Sequence, residues 1–481
     1  MLHRETLGGK MKKLLSFALL SALLIGSLTA CGRTLKTCKV ADLDGTIACY
    51  DEKLEQYAVE ADAQLVVSVD NNDWGAAIVA LWDAAHPEAV GAVTFVNDGS
   101  QGSTDRLATQ LGDYADVFIA IDGEITRNAQ HLLPFDKTLA DIVKANSVET
   151  YYKTGNTGEV TVYAPMLYDG MAFVWNKTML ETLGLNVTDA DGDNLPDAYD
   201  TWEEIFALSA SWHTGDRPIY KGNPIKIAFP LTLNNQWSDF HHLSSAGWQL
   251  FKNGPLDPGY DDPEFKAGFQ FTEDAKAAFV SVDIAEDGTE SLTAGAGMGW
   301  RWDDVINSES APFGLLGTWM NLAGAETSTG SDFIVSALPT YKGEHQATFV
   351  KTKGIAVNAY TEFQSAAHEL ARLIYSMDGF QAMVDHTSYP PSLADGSDLV
   401  PSLTAGGVQE QMMKGFLYSA SEYVGTLPNN KNQTAMGAAY YQAFLNDCQI
   451  SIWDGTKTID QAVADLITVS DAALAAANVA P

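Results

Sequence analysis

From Gln64 onward, short apolar segments of strand length alternate with segments in which apolar residues recur at helical spacing. The first strand is Gln64 to Asp70, and Gly75 to Ala85 has the helical pattern. A second strand at Ala92 to Val96 precedes a helix from Ser103 to Leu111, and Asp116 to Ile121 is an unbroken apolar run. This order predicts an α/β fold whose sheet is mostly parallel and covered by helices.

The same order returns later in the chain. Strands are predicted at Val160 to Tyr163, Met171 to Trp175, Asp332 to Leu338 and Gly354 to Ala359, and one long helix from Glu362 to about Met383. No segment of 20 to 50 residues recurs, which excludes a solenoid. With 481 residues, 46% of them hydrophobic, the chain is long enough for two domains or one bilobal body.

The first 30 residues have the pattern of a secretory signal. Met11 to Ala30 starts with two lysines and continues as an apolar stretch that is short for a membrane span, so Met11 is the expected start of translation. The signal ends in Leu28-Thr29-Ala30-Cys31, which resembles a bacterial lipobox and predicts a lipid on Cys31. An ordinary signal peptide is the alternative. The exported protein would be anchored to the outer face of the cell membrane, with residues 31–62 as a tether.

The remaining cysteines leave the disulfide pattern open. An exported chain permits a bond between Cys38 and Cys49, whereas Cys448 lies in a helical pattern. All three could equally be reduced.

The charge balance narrows the classes of partner. The chain has 62 acidic and 28 basic residues, a formal net charge of -34. Such a surface repels nucleic acid and anionic lipid headgroups, so a neutral or cationic small solute remains.

One acidic loop has the ligand spacing of a calcium site. Carboxylates occupy loop positions 1, 3, 5, 9 and 12, with a backbone carbonyl at position 7. These residues are, in order, Asp189, Asp191, Asp193, Asp197 and Asp200, with the carbonyl from Leu195. Asn194 stands where EF-hands have glycine, and Asp200 where they have glutamate. Glu203 or Glu204 could compensate, although Thr201 to Glu204 also fits a helix-capping box. The alternative is a solvated acidic turn.

No catalytic signature is present, whereas tryptophans that could stack on sugar rings are numerous. The sequence lacks the serine-hydrolase elbow, the zinc-protease motif and the phosphate-binding loops, although a pair of carboxylates for glycoside hydrolysis stays possible. Eleven tryptophans are present. Those in polar or glycine-rich surroundings are Trp74, Trp237, Trp300, Trp302 and Trp319.

Ligands of open α/β sheets bind beyond the carboxyl ends of the strands. That rule selects the loops Asp70 to Trp74, Ile121 to Glu124 and Leu167 to Gly170.

Several short motifs, in one order behind the lipobox, resemble those of the extracellular sugar receptors of ABC importers, the family 1 solute-binding proteins that include maltose- and maltodextrin-binding proteins. These motifs are the first strand and helix ending at His86-Pro87, Asp116-Val117-Phe118, Leu132 to Phe135, Tyr163-Ala164-Pro165, Trp175-Asn176-Lys177, Thr201 to Glu204, Gly317-Thr318-Trp319, and Ala337 to Thr340 followed by Gly343.

The resemblance implies a periplasmic-binding-protein-like type II fold, in which two α/β lobes close on the ligand by a hinge. Residues 63–166 and 351–405 would form the first lobe, and 167–350 and 406–481 the second. The ligand-binding residues implied by the resemblance and the sheet-edge rule are Asp70, Asn72, Trp74, Asp122, Glu124, Asp169, Trp237, Trp319 and Tyr440. Two positions depart from the maltodextrin receptors: Gly123 replaces an arginine, and Met436 to Ala438 a stacking tryptophan for which Tyr440 or Tyr441 could substitute.

The sequence therefore predicts a monomeric, non-enzymatic carbohydrate receptor that contains calcium and delivers a mono- or oligosaccharide to a membrane permease. The alternatives are a surface glycoside hydrolase and a receptor for a cationic solute such as a polyamine.

Overall fold

The structure, a computed structural model, describes residues 48–476 except 157–159, 215, 226, 232, 234, 255, 279–282, 285–289, 292–304, 420–432 and 446–447. The predicted signal, Cys31, Cys38, Trp300 and Trp302 lie outside the described residues. No described helix combines the length and apolarity needed to cross a membrane.

The described strands and helices alternate along much of the chain. The strands are β1 (Tyr50–Asp51), β2 (Gln56–Tyr57), β3 (Leu65–Val69), β4 (Val93–Asn97), β5 (Val117–Ile121), β6 (Ala164–Asn176), β7 (Ile219–Tyr220), β8 (Asn223–Pro224), β9 (Asp283–Ile284), β10 (Glu290–Ser291), β11 (Phe313–Gly317), β12 (Phe333–Ser336) and β13 (Val350–Val357). The helices are α1 (Asn72–Ala85), α2 (Ser103–Gln110), α3 (Asp122–Asn128), α4 (Lys137–Asn146), α5 (Glu149–Gly155), α6 (Lys177–Thr182), α7 (Trp202–Thr214), α8 (Phe240–Ser244), α9 (Pro263–Ala277), α10 (Leu322–Thr329), α11 (Gln364–Ile374), α12 (Met377–His386), α13 (Val408–Ser419), α14 (Gln433–Leu445), α15 (Cys448–Trp453) and α16 (Ile459–Ala476).

Seven strands form the main sheet, in the order β11-β6-β13-β5-β3-β4, with β12 also paired to β6. The prediction of a mostly parallel sheet is wrong. Strand β3 is parallel to β4 and β5, but β13 is antiparallel to both β5 and β6, and β11 and β12 are antiparallel to β6. The reason is that β6 and β13 connect two smaller sheets and are antiparallel to the strands that they pair with.

Strand β6 belongs to both halves of the molecule. Its first half pairs with β13 up to Gly170, and from Met171 it pairs with β11 and β12. The strand predicted at Met171 to Trp175 is the second half of β6, which starts at Ala164, and the strand predicted at Val160 to Tyr163 is not found among the described strands. We call the part built around β3, β4 and β5 the first lobe, and the part built around β11 and β12 the second.

Each lobe has its own buried core. In the first, Val67, Trp82 and Leu370 belong to one apolar cluster. In the second lobe, Phe173 of β6 and Trp202 belong to another apolar cluster, and their rings meet edge to face with centroids 5.9 Å apart. Because β6 and β13 contribute to the cores of both lobes, these strands hold the lobes together.

Two predicted helices differ in detail from the sequence pattern. Helix α2 begins at Ser103, has Gly102 as its N-cap, and ends at Gln110 rather than at Leu111. The predicted long helix after Glu362 is two helices, α11 and α12. The helical run is interrupted between α11 and α12, where Ser376 accepts a hydrogen bond from the backbone N–H of Gly379 and so caps α12.

Residues 48–62, predicted as the end of a tether, pack on the first lobe instead. Tyr57 of the β1–β2 hairpin is fully buried, and its backbone N–H donates to Glu369 at 2.8 Å. The Cys49 N–H donates to Ser365 Oγ at 3.0 Å. Cys49 is disulfide-bonded, whereas Cys448 is a buried free thiol. The folded body therefore starts before the boundary at residue 63, because the buried ring of Tyr57 and its hydrogen bond to Glu369 hold the hairpin on the first lobe.

Candidate ligand site

The two strands that connect the lobes present charged side chains on one face. Lys351 lies directly opposite Asp169 in the β13–β6 register, and Lys353 is two residues farther along β13. Residues two apart on a strand share a face, as do directly opposed residues of antiparallel strands. The side chains of Lys351, Lys353 and Asp169 therefore lie on the same face of the sheet, at the junction of the lobes.

Lys353 is the centre of a buried ionic cluster. Its ammonium lies 3.2 Å from Asp70 Oδ2 and 3.2 Å from Asp169 Oδ1, and it donates to the Tyr389 hydroxyl at 2.6 Å. The Tyr389 hydroxyl donates in turn to Asp70 at 2.9 Å. The cluster therefore links the carboxyl end of β3 to both connecting strands. Asp70 also accepts from Ser100 Oγ at 3.3 Å.

Nearby negative groups keep Lys353 in its charged form. Burial by itself would lower the pKa of Lys353, but Asp169, Tyr389 and Asp70 outweigh it and raise that pKa. Burial raises the pKa of Asp169, and Lys353 opposes this shift. The main effect of a buried ion pair on stability is that each charge compensates the other, so that removing one partner leaves a costly unpaired charge.

Asp122 and Glu124, at the start of α3, are occupied by backbone groups. Asp122 Oδ2 accepts from the Thr352 backbone N–H at 3.0 Å and from Thr352 Oγ1 at 3.2 Å, while Oδ1 accepts from the Gly123 N–H. Burial raises the pKa of Asp122 to about 6, although Lys351 opposes the shift. Glu124 accepts from the Gly102 N–H at 2.7 Å, and burial raises its pKa. Asp122 is 1% exposed, so it fixes β13 to the first lobe.

An aromatic surface of the second lobe adjoins this charged face. Trp319 follows β11 and is 37% exposed; its ring meets that of Trp237 edge to face, with centroids 5.6 Å apart. The Lys351 ammonium lies 5.3 Å from the centre of the Trp237 ring and 3.5 Å from the Tyr441 hydroxyl. Indole faces beside hydrogen-bonding groups can hold a flat, hydroxyl-rich molecule.

Three of the predicted contact residues lie elsewhere. Trp74 is fully buried within α1, in the core of the first lobe. Asn72 is the exposed first residue of α1, whose N-cap is Asn71. Tyr440 is fully buried and stacks on Phe349 at 5.1 Å. The rings of Trp74 and Tyr440 pack into the cores of the two lobes, and it is Tyr441, half-buried, whose hydroxyl lies beside Lys351.

Sequence reasoning missed Lys351, Lys353 and Tyr389, and it named Tyr441 only as the alternative to Tyr440. A signal for the lysines was available. In Val350 to Val357 they are the two charges, two residues apart, in an otherwise apolar strand, so they share a face. Tyr389 had no such pattern, since it reaches the site from a loop after α12.

The predicted calcium loop has the shape of a cation site. Ligand oxygens of Asp189, Asp191 and Asp197 lie within 4.8 Å of one another, on exposed side chains. Asp189 accepts from the backbone N–H groups of Gly192 at 2.7 Å and of Asn194 at 3.0 Å. Asn194 has a positive φ of 69°, the conformation for which EF-hands use glycine. The loop thus folds back on its first aspartate.

The other members of this loop differ in their surroundings. The Leu195 side chain is buried, and its N–H donates to Asp193 at 2.7 Å. Burial, followed by the negative charges of Asp193, Asp191 and Asp197, raises the pKa of Asp200 to about 6. The Asp200 Oδ1 atom is buried and has no hydrogen-bond partner among the described residues.

Neither candidate for a compensating ligand is available. Glu204 accepts from the Thr201 N–H at 3.0 Å and Thr201 Oγ1 at 2.9 Å, which is the capping box. Glu203 accepts from the Lys342 N–H at 2.9 Å. The oxygen donors that remain still suit a calcium ion, because all are hard ligands and their mutual repulsion favours a cation.

Comparison with known proteins identifies the family. The profile described as bacterial extracellular solute-binding protein matches residues 84–405, about two thirds of the chain. The chain belongs to this family. It is therefore an exported receptor, and the two-lobe periplasmic-binding-protein-like fold implied by the sequence is confirmed. No curated protein sequence matches the chain.

A solved structure with the same fold is that of a cyclo/maltodextrin-binding protein complexed with maltotetraose. The similarity has a TM-score of 0.63 at 17% sequence identity, and it covers 85% of this solute-binding protein and 96% of the other chain. At that identity the match describes the fold.

We expect Lys353→Met to lower the free energy of unfolding by about 3 kcal/mol, because it leaves two buried carboxylates uncompensated. Urea denaturation followed by circular dichroism measures this loss. The control is Lys342→Met, which removes an exposed lysine paired with Asp274 and should cost under about 1 kcal/mol. Equal losses in the two variants would show that the cluster does not stabilise the fold.

Proposed function

We propose that this solute-binding protein captures a carbohydrate between its lobes and delivers it to the membrane permease of an ABC importer. The observation that carries the proposal is the aromatic surface of Trp237 and Trp319 beside the hydrogen-bonding face of β6 and β13. Such a surface offers stacking for the C–H face of a sugar ring and polar groups for its hydroxyls. The maltotetraose ligand of the solved relative is in keeping with this chemistry.

The connecting strands suggest how binding drives transport. Both β6 and β13 pass from one lobe to the other, so a small twist in them moves the lobes together. Asp70 belongs to the first lobe and Trp319 to the second, and a ligand between them would bridge the lobes. A sugar that touches both lobes only when they are closed shifts the protein toward the closed state.

The structure gives less support to a cationic ligand. The carboxylates that favoured a polyamine are Asp70, Asp122 and Asp169. Two of them already share Lys353, and Asp122 is bonded by Thr352 and Gly123. Lys351 adds a further positive charge on the same face, which would repel a polyamine.

Hydrolysis of the sugar is also less favoured than binding. Glycosidases need one carboxyl group as acid and a second as base or nucleophile. Here Asp70 and Asp169 share the ammonium of Lys353, so neither is free to act as an acid or a nucleophile. We therefore propose a receptor without catalytic activity. It would act as a monomer, held beside the permease by a lipid on Cys31.

We expect Trp319→Ala to weaken carbohydrate binding at least tenfold, about 1.4 kcal/mol, because it removes the exposed stacking ring. The measurement is thermal unfolding against a panel of mono- and oligosaccharides and polyamines. A ligand at a hundredfold excess over its dissociation constant should stabilise the wild-type protein by about 2.7 kcal/mol.

Met377→Ala, at an exposed apolar residue of α12, serves as the control and should bind normally. A shift with spermidine and none with any sugar would refute the proposal. Unchanged sugar affinity in Trp319→Ala would remove that ring from the site.

The acidic loop adds a structural calcium ion to this proposal. Asp189, Asp191, Asp193, Asp197, Asp200 and the Leu195 carbonyl would supply its oxygen ligands. The ion would tie the loop to the start of α7 and so stiffen the second lobe, away from the sugar. Since Asp200 has a pKa of about 6 and must be ionised to bind, calcium affinity should fall as the pH drops below that value.

We expect millimolar calcium to raise the melting temperature and a chelator to lower it, with no effect of either on an Asp189→Ala/Asp191→Ala variant. Calorimetry with magnesium in place of calcium tests selectivity. A melting temperature and metal content that a chelator leaves unchanged would contradict the calcium site.

A further inference from the structure

Among the described residues Lys351 has no ion-pair partner, in contrast to Lys353 two residues farther along β13. Its ammonium lies 5.3 Å from the centre of the Trp237 ring and 5.6 Å from that of Phe349, and its hydrogen-bonding contact is the Tyr441 hydroxyl at 3.5 Å. Within the described part of the chain, no carboxylate is close enough to form an ion pair with it. An ammonium has three donors, so this group retains unused hydrogen-bonding capacity.

The carboxylates that could neutralise Lys351 are engaged elsewhere. Asp169, its partner across the strands, is turned to Lys353 at 3.2 Å. Both oxygens of Asp122 accept hydrogen bonds from Thr352 and Gly123. Their fields, with that of Tyr441, nonetheless raise the pKa of Lys351 in spite of burial, so the ammonium stays charged at neutral pH.

The position of this charge relates it to the ligand. The ammonium is half-buried on the ring of Trp237, whose edge-to-face partner is the exposed Trp319. A sugar stacked on Trp319 would therefore lie near the ammonium. Because a half-buried charge loses part of its hydration, a ligand group of opposite charge gains more there than a neutral hydroxyl does.

We propose that the ligand is an acidic saccharide whose uronic-acid carboxylate pairs with Lys351. This inference rests on the proposed sugar-binding function and specifies its substrate class. A carboxylate carries one negative charge, which one ammonium balances. A sugar phosphate carries about 1.5 to 2 negative charges near neutral pH, so Asp122 and Asp169 would repel it more strongly than they repel a carboxylate.

The acidity of the whole protein does not oppose this choice. The net charge is -34, but at physiological ionic strength charges separated by more than about 8 Å are largely screened. Of the nearby charges, Asp169 is paired with Lys353 and Asp122 is bonded by Thr352 and Gly123, which leaves the ammonium of Lys351 as the group that can pair with a ligand anion. The overall charge slows the approach of an anion rather than preventing its binding.

The test uses matched probes that differ at one carbon, in isothermal titration calorimetry with the full mature chain. Glucose, galactose and mannose are compared with glucuronate, galacturonate and mannuronate, together with disaccharides of each and glucose 6-phosphate. We expect one uronate to bind at least about tenfold more tightly than its neutral partner. Lys351→Met should abolish that preference, and Lys351→Arg should retain it.

Lys342→Met is the control for loss of a lysine over an aromatic ring, since the Lys342 ammonium lies 4.8 Å from the centre of the Tyr341 ring on the surface. It should bind as the wild type does. Neutral sugars bound as tightly as the uronates, with equal effects of Lys351→Met on both, would overturn the inference and leave the sugar receptor intact. Binding of the phosphate alone would also overturn it, and failure of every saccharide would reject the proposed function as well.

Discussion

The buried ammonium of Lys353 is the interaction on which the arrangement of the site depends. It draws together Asp70 at the end of β3 and Asp169 on β6, while Lys353 itself lies on β13. Three strands are thereby fixed by one charge at the junction of the lobes. Removing the ammonium would leave two buried carboxylates that repel each other and prefer water.

This cluster also bears on the kind of ligand that the proposed site would accept. Because Asp70 and Asp169 already pair with Lys353, they do not form an open cation site. The aromatic rings and Lys351 lie on the same side of the connecting strands. Aromatic rings and the ammonium of Lys351 are thus combined within one surface, next to the strands that connect the lobes.

Much of the fold could be predicted from the sequence, because apolar periodicity is a local property. Strand β3 and helix α1 appear within a few residues of their predicted limits. The first half of β6 was predicted as a loop because Pro165, Asp169 and Gly170 are typical of turns, yet pairing with β13 keeps these residues extended. The direction of β13 depends on contacts distant in sequence, so local patterns could not show that the sheet is mixed.

The site was harder to predict for the same reason. Asp70 and Asp169 were selected by their place at strand ends, and the structure brings them together through a lysine that no motif singled out. Trp74 follows a strand in a polar segment, but it also belongs to the apolar face of α1, and its ring is buried in the core of the first lobe. Whether a ring faces ligand or core depends on the direction of its helix, which sequence alone leaves open.

The most direct test of the account is the distance between the lobes with and without sugar. Spin labels on cysteines introduced at Lys137 of α4 and Glu181 of α6, both exposed, would report it by pulsed electron paramagnetic resonance. We predict that a saccharide that binds shortens the distance, that one that does not bind leaves it unchanged, and that Trp319→Ala requires more sugar for the same change. An unchanged distance at saturating sugar would contradict closure of the lobes around the ligand.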